Sequence, residues 1–221
     1  IVDASKVVII LAAGTENTVS DGATYVFASE DVDEPNAAIF STADLSFSGS
    51  GSLTVSGNSN DGITSKDGLI IASGTILVNA VDDGIRGKDY LVIEDGNITV
   101  NAGGDGLKSD NEEDTAKGYI SIASGVLHIA SGGDAIAAQS DVMITGGEFT
   151  LVTAGGASAS IAATLSAKGI KGVSSVVIDG GTFDIDAADD AVHSNGSVTV
   201  NQGTFAITSG DDGMHADSTL T

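Results

Sequence analysis

Aligned on the tripeptide Asp-Gly-(Ile/Leu/Met), the chain repeats itself about every 22 residues, and that period admits few folds. The motif stands at Asp61-Gly62-Ile63, Asp83-Gly84-Ile85, Asp105-Gly106-Leu107 and Asp212-Gly213-Met214. Alanine copies stand at Asp134-Ala135-Ile136 and Asp190-Ala191-Val192, and a degenerate copy at Lys168-Gly169-Ile170. Successive copies lie 22, 22, 29, 34, 22 and 22 residues apart, so the two long steps are one period plus insertions of 7 and 12. A fixed period of about 20 to 50 residues marks a solenoid, in which each unit buries its core only against its neighbours.

Within each unit the pattern is strand-like. Gly74-Thr75-Ile76-Leu77-Val78 aligns with Gly96-Asn97-Ile98-Thr99-Val100 and with Gly181-Thr182-Phe183-Asp184-Ile185. Apolar residues alternate with others, as one buried strand face requires. A second strand precedes the glycine (Leu69/Ile71, Leu91/Ile93, Ile120/Ile122), and the Asp-Gly-Ile motif supplies a third. Three short strands per turn predict an all-β, right-handed parallel β-helix of about 22 residues per turn and roughly eight turns, since the hexapeptide units of left-handed β-helices are absent. At about 4.8 Å per rung, eight turns make a rod about 40 Å long.

The period holds from residue 37 to residue 221, which predicts a single β-helix domain there. Residues 1–36 fit it poorly, which predicts an irregular first turn or cap. Leu220 follows Asp212 by the same eight residues that separate Leu91 from Asp83, so the last turn reads as incomplete. An open stack end exposes unpaired backbone groups, so further chain or a second copy is expected to cover it.

The chain carries 31 acidic and 8 basic residues, for a formal charge of −23. Such a surface repels nucleic acid and attracts divalent cations. Without cysteine, neither a disulfide framework nor a thiolate zinc site can form. No run of 18 apolar residues exists to form a membrane-spanning helix.

Alternation assigns outward positions around the third strand. One column holds Thr64, Arg86, Lys108, Ala137, Lys171, His193 and His215, and the next holds Lys66, Lys88, Asp110, Gln139, Val173, Asn195 and Asp217. By the same alternation the small residues Gly62, Gly84, Gly106, Ala135, Gly169, Ala191 and Gly213 should also face outward, as a flat strip where a ligand approaches the backbone. Seven of the eight cations (Lys66, Arg86, Lys88, Lys108, Lys117, Lys168 and Lys171) fall on or beside this strip. Repeat drift would copy one ancestral lysine along a ladder, and a binding face would gather cations in the same way. Tyr90 and Tyr119 are equivalent on adjacent turns. They would form either a sugar-stacking platform or an aromatic ladder stabilising the corner.

A single aspartate per corner is ordinary turn chemistry, because its side chain bonds nearby backbone amides. Doubled acids are not: Asp82-Asp83, Asp189-Asp190 and Asp211-Asp212 bring carboxylates together on stacked turns, where they protonate or share a cation. Oxygen donors at flexible spacing suit Ca²⁺. The expected groups are Asp82, Asp83, Asp105 and Asp110, and Asp189, Asp190, Asp211, Asp212 and Asp217, with Asp61 and Asp134 weaker members. His193 and His215, one turn apart, are polar face residues or, with the aspartates, a zinc site.

The repeated Asp-Asp-Gly-(Ile/Met)-(Arg/His) signature and strands such as Gly-Thr-Phe-Asp-Ile resemble the secreted carbohydrate-binding β-helix proteins of cellulose-degrading bacteria. The resemblance spans residues 38–221. It implies a pectate-lyase-like fold, an extracellular or cell-surface location, and binding of cellulose or acidic pectin-type polysaccharides. It also implies Ca²⁺ on the acidic ladder, carried by Asp83, Asp105, Asp190 and Asp212. In a binding module, Arg86, Lys88, Lys108 and Lys66 would pair with ligand carboxylates and hydroxyls, and Tyr90 and Tyr119 with a neutral chain. In a calcium-dependent lyase acting by β-elimination, Lys108 or Arg86 would take the proton. A calcium-stapled stalk needs no glycan at all.

Overall fold

The computed structural model describes residues 1–27, 29 and 34–221, and within them every regular element is a strand. Each unit contributes three. Sheet I holds the strands that precede the glycine, such as Gly68–Ile71, Tyr90–Ile93 and Tyr119–Ile122. Sheet II holds those that follow it, such as Thr75–Ala80, Asn97–Ala102 and Val126–Ser131. Sheet III holds the short motif strands Asp61–Ser65, Ile85–Gly87, Leu107–Ser109, Ile136–Ala138, Ile170–Gly172, Val192–Ser194 and Met214–Ala216, preceded by Ala37–Ser41. The sheets have nine, eight and eight strands, each paired in parallel with its counterpart on the next turn, which is the expected parallel β-helix. No helix is long and apolar enough to cross a membrane among the described residues.

Register follows the apolar pattern, because a slip of one residue would turn every buried side chain outward. Leu69, Leu91, Ile120 and Val142 lie in one column of sheet I, and Ile76, Ile98, Leu127 and Phe149 in one of sheet II. Sheet III supplies one inward column, Ile63, Ile85, Leu107, Ile136 and Ile170, buried like the others. Toward one end the sheet II column becomes a stack of phenylalanines, with Phe149 and Phe183, then Phe183 and Phe205, 4.6 Å apart between centroids.

Two expectations are corrected. The segment 1–36 is not an irregular cap throughout. Val7–Leu11 pairs with Leu45–Gly49 and Glu16–Ser20 pairs with Ser52–Gly57, as regular rungs of sheets I and II. The tripeptide Asp-Gly-(Ile/Leu/Met) does not occur in this turn, so an alignment on that motif misses the rung. Residues 28 and 30–33 of the expected cap lie outside the described residues. At the other end, Phe205, Ile207 and Met214 are only half-buried, at the edge where self-association was expected.

The second correction concerns the flat strip. Gly62, Gly84, Gly106, Ala135, Gly169 and Ala191 are buried, and Gly213, on the last rung, is half-buried. A Cβ on Gly62 would overlap Val78 Cγ1, and one on Gly84 would overlap Val100 Cγ1 and stand 2.6 Å from the Gly106 carbonyl oxygen. Most motif strands begin only after the glycine, as Ile85–Gly87 does, so the Asp-Gly pair is a corner. Strand alternation does not carry across that corner, and the small residue points into the stack. Gly84→Val should therefore overpack the interior and cost about 1–3 kcal/mol. A wild-type midpoint in urea denaturation of the variant would refute the inward placement.

Candidate functional site

The motif aspartates are positioned by the backbone they serve. Asp83 Oδ1 accepts the Asp105 N–H at 2.8 Å, Asp105 Oδ1 the Asp134 N–H at 2.8 Å, and Asp134 Oδ1 the Lys168 N–H at 2.7 Å. Asp61 does the same for Asp83 at 3.3 Å, and Asp190 for Asp212 at 2.9 Å. A side-chain oxygen thus takes the place of a backbone carbonyl at each corner, where a buried amide without a partner would be costly. The degenerate turn supports this reading. Lys168 has no carboxylate to offer, and the Asp190 N–H is met by Asp189 Oδ1 at 2.9 Å.

The second oxygen of each aspartate meets the outward column of sheet III. Register aligns Thr64, Arg86, Lys108, Ala137, Lys171, His193 and His215, as alternation predicts. Lys108 Nζ lies 2.9 Å from both Asp83 Oδ2 and Asp105 Oδ2. Lys171 Nζ lies 3.1 Å from Asp134 Oδ2 and 3.2 Å from Ser166 Oγ. Thr64 donates to Asp61 at 2.9 Å, while His193 and His215 place Nδ1 at 2.8 and 2.9 Å from Asp190 and Asp212. Arg86 pairs with Asp110 at 2.6 Å and lies 3.9 Å from Asp61. Lys168 bridges Asp189 and Asp190.

These pairs set the titration. Burial would lower the Lys108 ammonium, but the Asp105 and Asp83 carboxylates outweigh it and hold the group above the usual lysine range. Arg86 is likewise raised against burial, by Asp110 and Asp61. A base that abstracts a proton must first be neutral. Both residues proposed for the β-elimination chemistry are therefore held in the charged form, by neighbours of the wrong sign for a base. Asp61, only 1% exposed, is pushed up to about 6 by burial and then by Asp83, against the Thr64 hydrogen bond and Arg86.

The expected acidic groups are placed unequally. Lys108 sits between Asp83 and Asp105, and Arg86 takes Asp110, so two internal cations pair with three carboxylates of that group. Asp82 is exposed at the adjoining corner. Asp189, Asp190 and Asp211 bring one oxygen each within 4.8 Å of one another, the one such group of three among the described residues. Its donors, all carboxylate oxygens, fit a hard cation such as Ca²⁺, with the Lys168 ammonium competing for two of them. Asp212 and Asp217 instead hold His215, at 2.9 and 3.0 Å. The rings of His193 and His215 stack at 5.1 Å.

One concavity of about 540 Å³ opens on this face. Lys108, Ala137 and Lys171 line it from the first outward column, Lys88, Asp110, Gln139 and Val173 from the second, and Glu112 and Glu113 from the acidic insertion. The insertion is pinned by Asn111, which donates to Asp89 at 2.6 Å and accepts the Glu113 and Asp114 amides, and by the Lys117–Asp89 pair at 2.6 Å. Lys66 lies away from this cleft, paired with Glu34 at 2.7 Å. Tyr90 and Tyr119 also lie outside it. Their rings stack on each other at 5.7 Å, and a Cβ on Gly68 would fall inside the Tyr90 ring. Tyr90 therefore packs between Gly68 and Tyr119 as one rung of an aromatic ladder. Ala137 and Lys171, which complete the cleft, were on the predicted outward column, Lys171 only as one of the seven gathered cations and Ala137 with no predicted role.

The family model described as carbohydrate-binding domain-containing protein matches residues 1–213. A carbohydrate-binding domain-containing protein of Acetivibrio thermocellus is 42% identical over 77 residues, which are 35% of this chain. The matched part is 27% of that relative's length. Among solved structures, the polysaccharide lyase-like protein from C. thermocellum, in its gadolinium derivative, superposes with a TM-score of 0.66 at 30% identity, over 90% of this chain and 68% of its own.

Removing the corner acceptor should cost stability ahead of any ligand effect. Asp83→Ala leaves the Asp105 amide unpaired and should lose about 1–3 kcal/mol. Asp83→Asn, which keeps an acceptor oxygen, should lose less, and equal denaturation midpoints for the two variants would refute the role. Asp61 carries a pH signature of defined sign. Its pKa is higher in the folded chain than its ordinary 3.8, so the folded state holds the extra proton between 3.8 and about 6. This group's contribution to stability is full below that window and falls as pH rises through it. Asp61→Asn should therefore gain on wild type between about pH 4 and about pH 7 in chemical denaturation, and a pH-independent difference would contradict the assignment.

Proposed function

Because the chain belongs to the carbohydrate-binding domain-containing family, we propose that it is a non-catalytic polysaccharide-binding module for acidic, pectin-type chains of the plant cell wall. The observation that carries this reading is the cleft lined by Lys88, Lys108 and Lys171. In a chain of charge −23, three ammonium groups gather round one concavity, and an ammonium has three N–H donors. Lys108 and Lys171 each spend two on the protein, so each retains one for a carboxylate or hydroxyl of a ligand.

Cellulose is the weaker ligand on physical grounds. A neutral chain would rely on exposed aromatic faces and a flat backbone strip. Tyr90 packs between Gly68 and Tyr119, and the glycine column is buried. Ca²⁺ belongs to this proposal, with Asp189, Asp190 and Asp211 to hold it; when bound it would neutralise those carboxylates on the face that an acidic chain approaches. The glycan lies outside the cell, and the proposal places the protein there too, secreted or at a cell surface.

Incubation with polygalacturonate and with cellulose, with and without a chelator, tests the proposal in one experiment. Calcium-dependent retention on polygalacturonate, with no rise in absorbance from unsaturated product, is the expected result. Product formation would make the chain a lyase, and retention on cellulose alone would overturn the acidic-ligand assignment.

A further inference from the structure

A solenoid face offers, by default, one similar subsite per turn. Here the outward column of sheet III does not. Along it the side chains are Thr64, Arg86, Lys108, Ala137, Lys171, His193 and His215, and only Ala137 is reduced to a methyl group. With rungs about 4.8 Å apart, Lys108 and Lys171 flank that gap at a backbone separation of about 10 Å. The cleft lies over this gap. The neighbouring rungs are closed: Arg86 is engaged by Asp110 and lies near Asp61, and His193 and His215 are tied to Asp190 and Asp212.

We infer that Ala137 sets a single discrete subsite, which takes one hexuronate unit of the polymer between Lys108 and Lys171. This rests on the acidic-polysaccharide reading above. The unit lies across the Ala137 methyl, gives its carboxylate to one ammonium, and gives ring hydroxyls to the other and to the Gln139 amide. The two lysines are held in place by Asp83, Asp105, Asp134 and Ser166 before any ligand arrives, so little side-chain freedom is lost on binding. The carboxylates that line the cleft are mostly committed: Asp105 and Asp134 to these lysines, Asp110 to Arg86. Glu113 is 83% exposed and stands 3.9 Å from Lys88, a contact that a ligand displaces at small cost.

Shape and charge make opposite predictions for Ala137→Lys. The variant adds a cation to the face, so general attraction for a polyanion would strengthen binding. It also fills the gap with the side chain that the adjacent rungs carry, so a shaped subsite would be lost. Ala137→Met fills the gap without charge. Lysine already stands on two rungs of this column, so the folded state is expected to accept it, and thermal denaturation of both variants verifies that.

Calorimetric titration with trigalacturonate and hexagalacturonate, in calcium-containing buffer, reads the outcome. Wild type should bind the trimer at one site per chain, the hexamer should bind with similar affinity, and both variants should lose about tenfold or more at unchanged melting temperature. Undiminished or tighter binding by Ala137→Lys, in a wild type that binds, would overturn the subsite and leave the polysaccharide reading standing. Absence of binding by wild type to any uronide would overturn both.

Discussion

The interaction on which the rest depends is the bridge from each motif aspartate to the backbone amide one turn further on. A β-helix must bend between sheets, and at each bend the regular pairing of amides with carbonyls breaks. An amide left there would be buried and unpaired. One oxygen of Asp83, Asp105 or Asp134 closes that gap. The other oxygen then sits beside the strand that follows, largely buried in Asp61, Asp83, Asp134 and Asp190, and calls for a donor. Threonine, arginine, lysine and histidine answer it in turn along sheet III. The cationic column is thus a consequence of how the corner is built.

That dependence changes what the acidic ladder means. Like charges stacked at rung spacing were expected to protonate or to share a cation, and over much of the stack lysine, arginine and histidine side chains lie against them. Lys168 shows the rule by breaking it. Where lysine replaces the motif aspartate, Asp189 takes over the amide and the lysine neutralises the pair that results. Among the described residues, Asp189, Asp190 and Asp211, beyond that turn, are the group that converges in a manner open to a divalent ion.

The proposed ligand cleft lies where the regular column is interrupted. A face of equal rungs has ridges but no depth. The methyl of Ala137, the acidic insertion pinned by Asn111, and Ser166 bracing Lys171 together turn one rung into a cleft. The buried pairs fix the ammonium groups, and their third donors remain for a ligand. The same pairs keep Lys108 and Arg86 protonated, which suits them to holding a carboxylate and unsuits them to removing a proton.

By itself, the sequence determined the three-strand unit, the inward columns from Ile63 to Ile170, the register, and the order of side chains along the outward columns. Each of these follows from strand alternation and a constant period, which are properties of local chain geometry. The tertiary structure decided what lies across a corner or between turns. Gly84 points inward because alternation stops at the bend, the rings of Tyr90 and Tyr119 cover each other because their strands are adjacent, and Val7–Leu11 joins sheet I although its turn lacks the motif. Likewise, which carboxylate meets which cation depends on distances between residues 22 or more apart in the chain, as Asp83 and Lys108 are, and no local pattern contains that information.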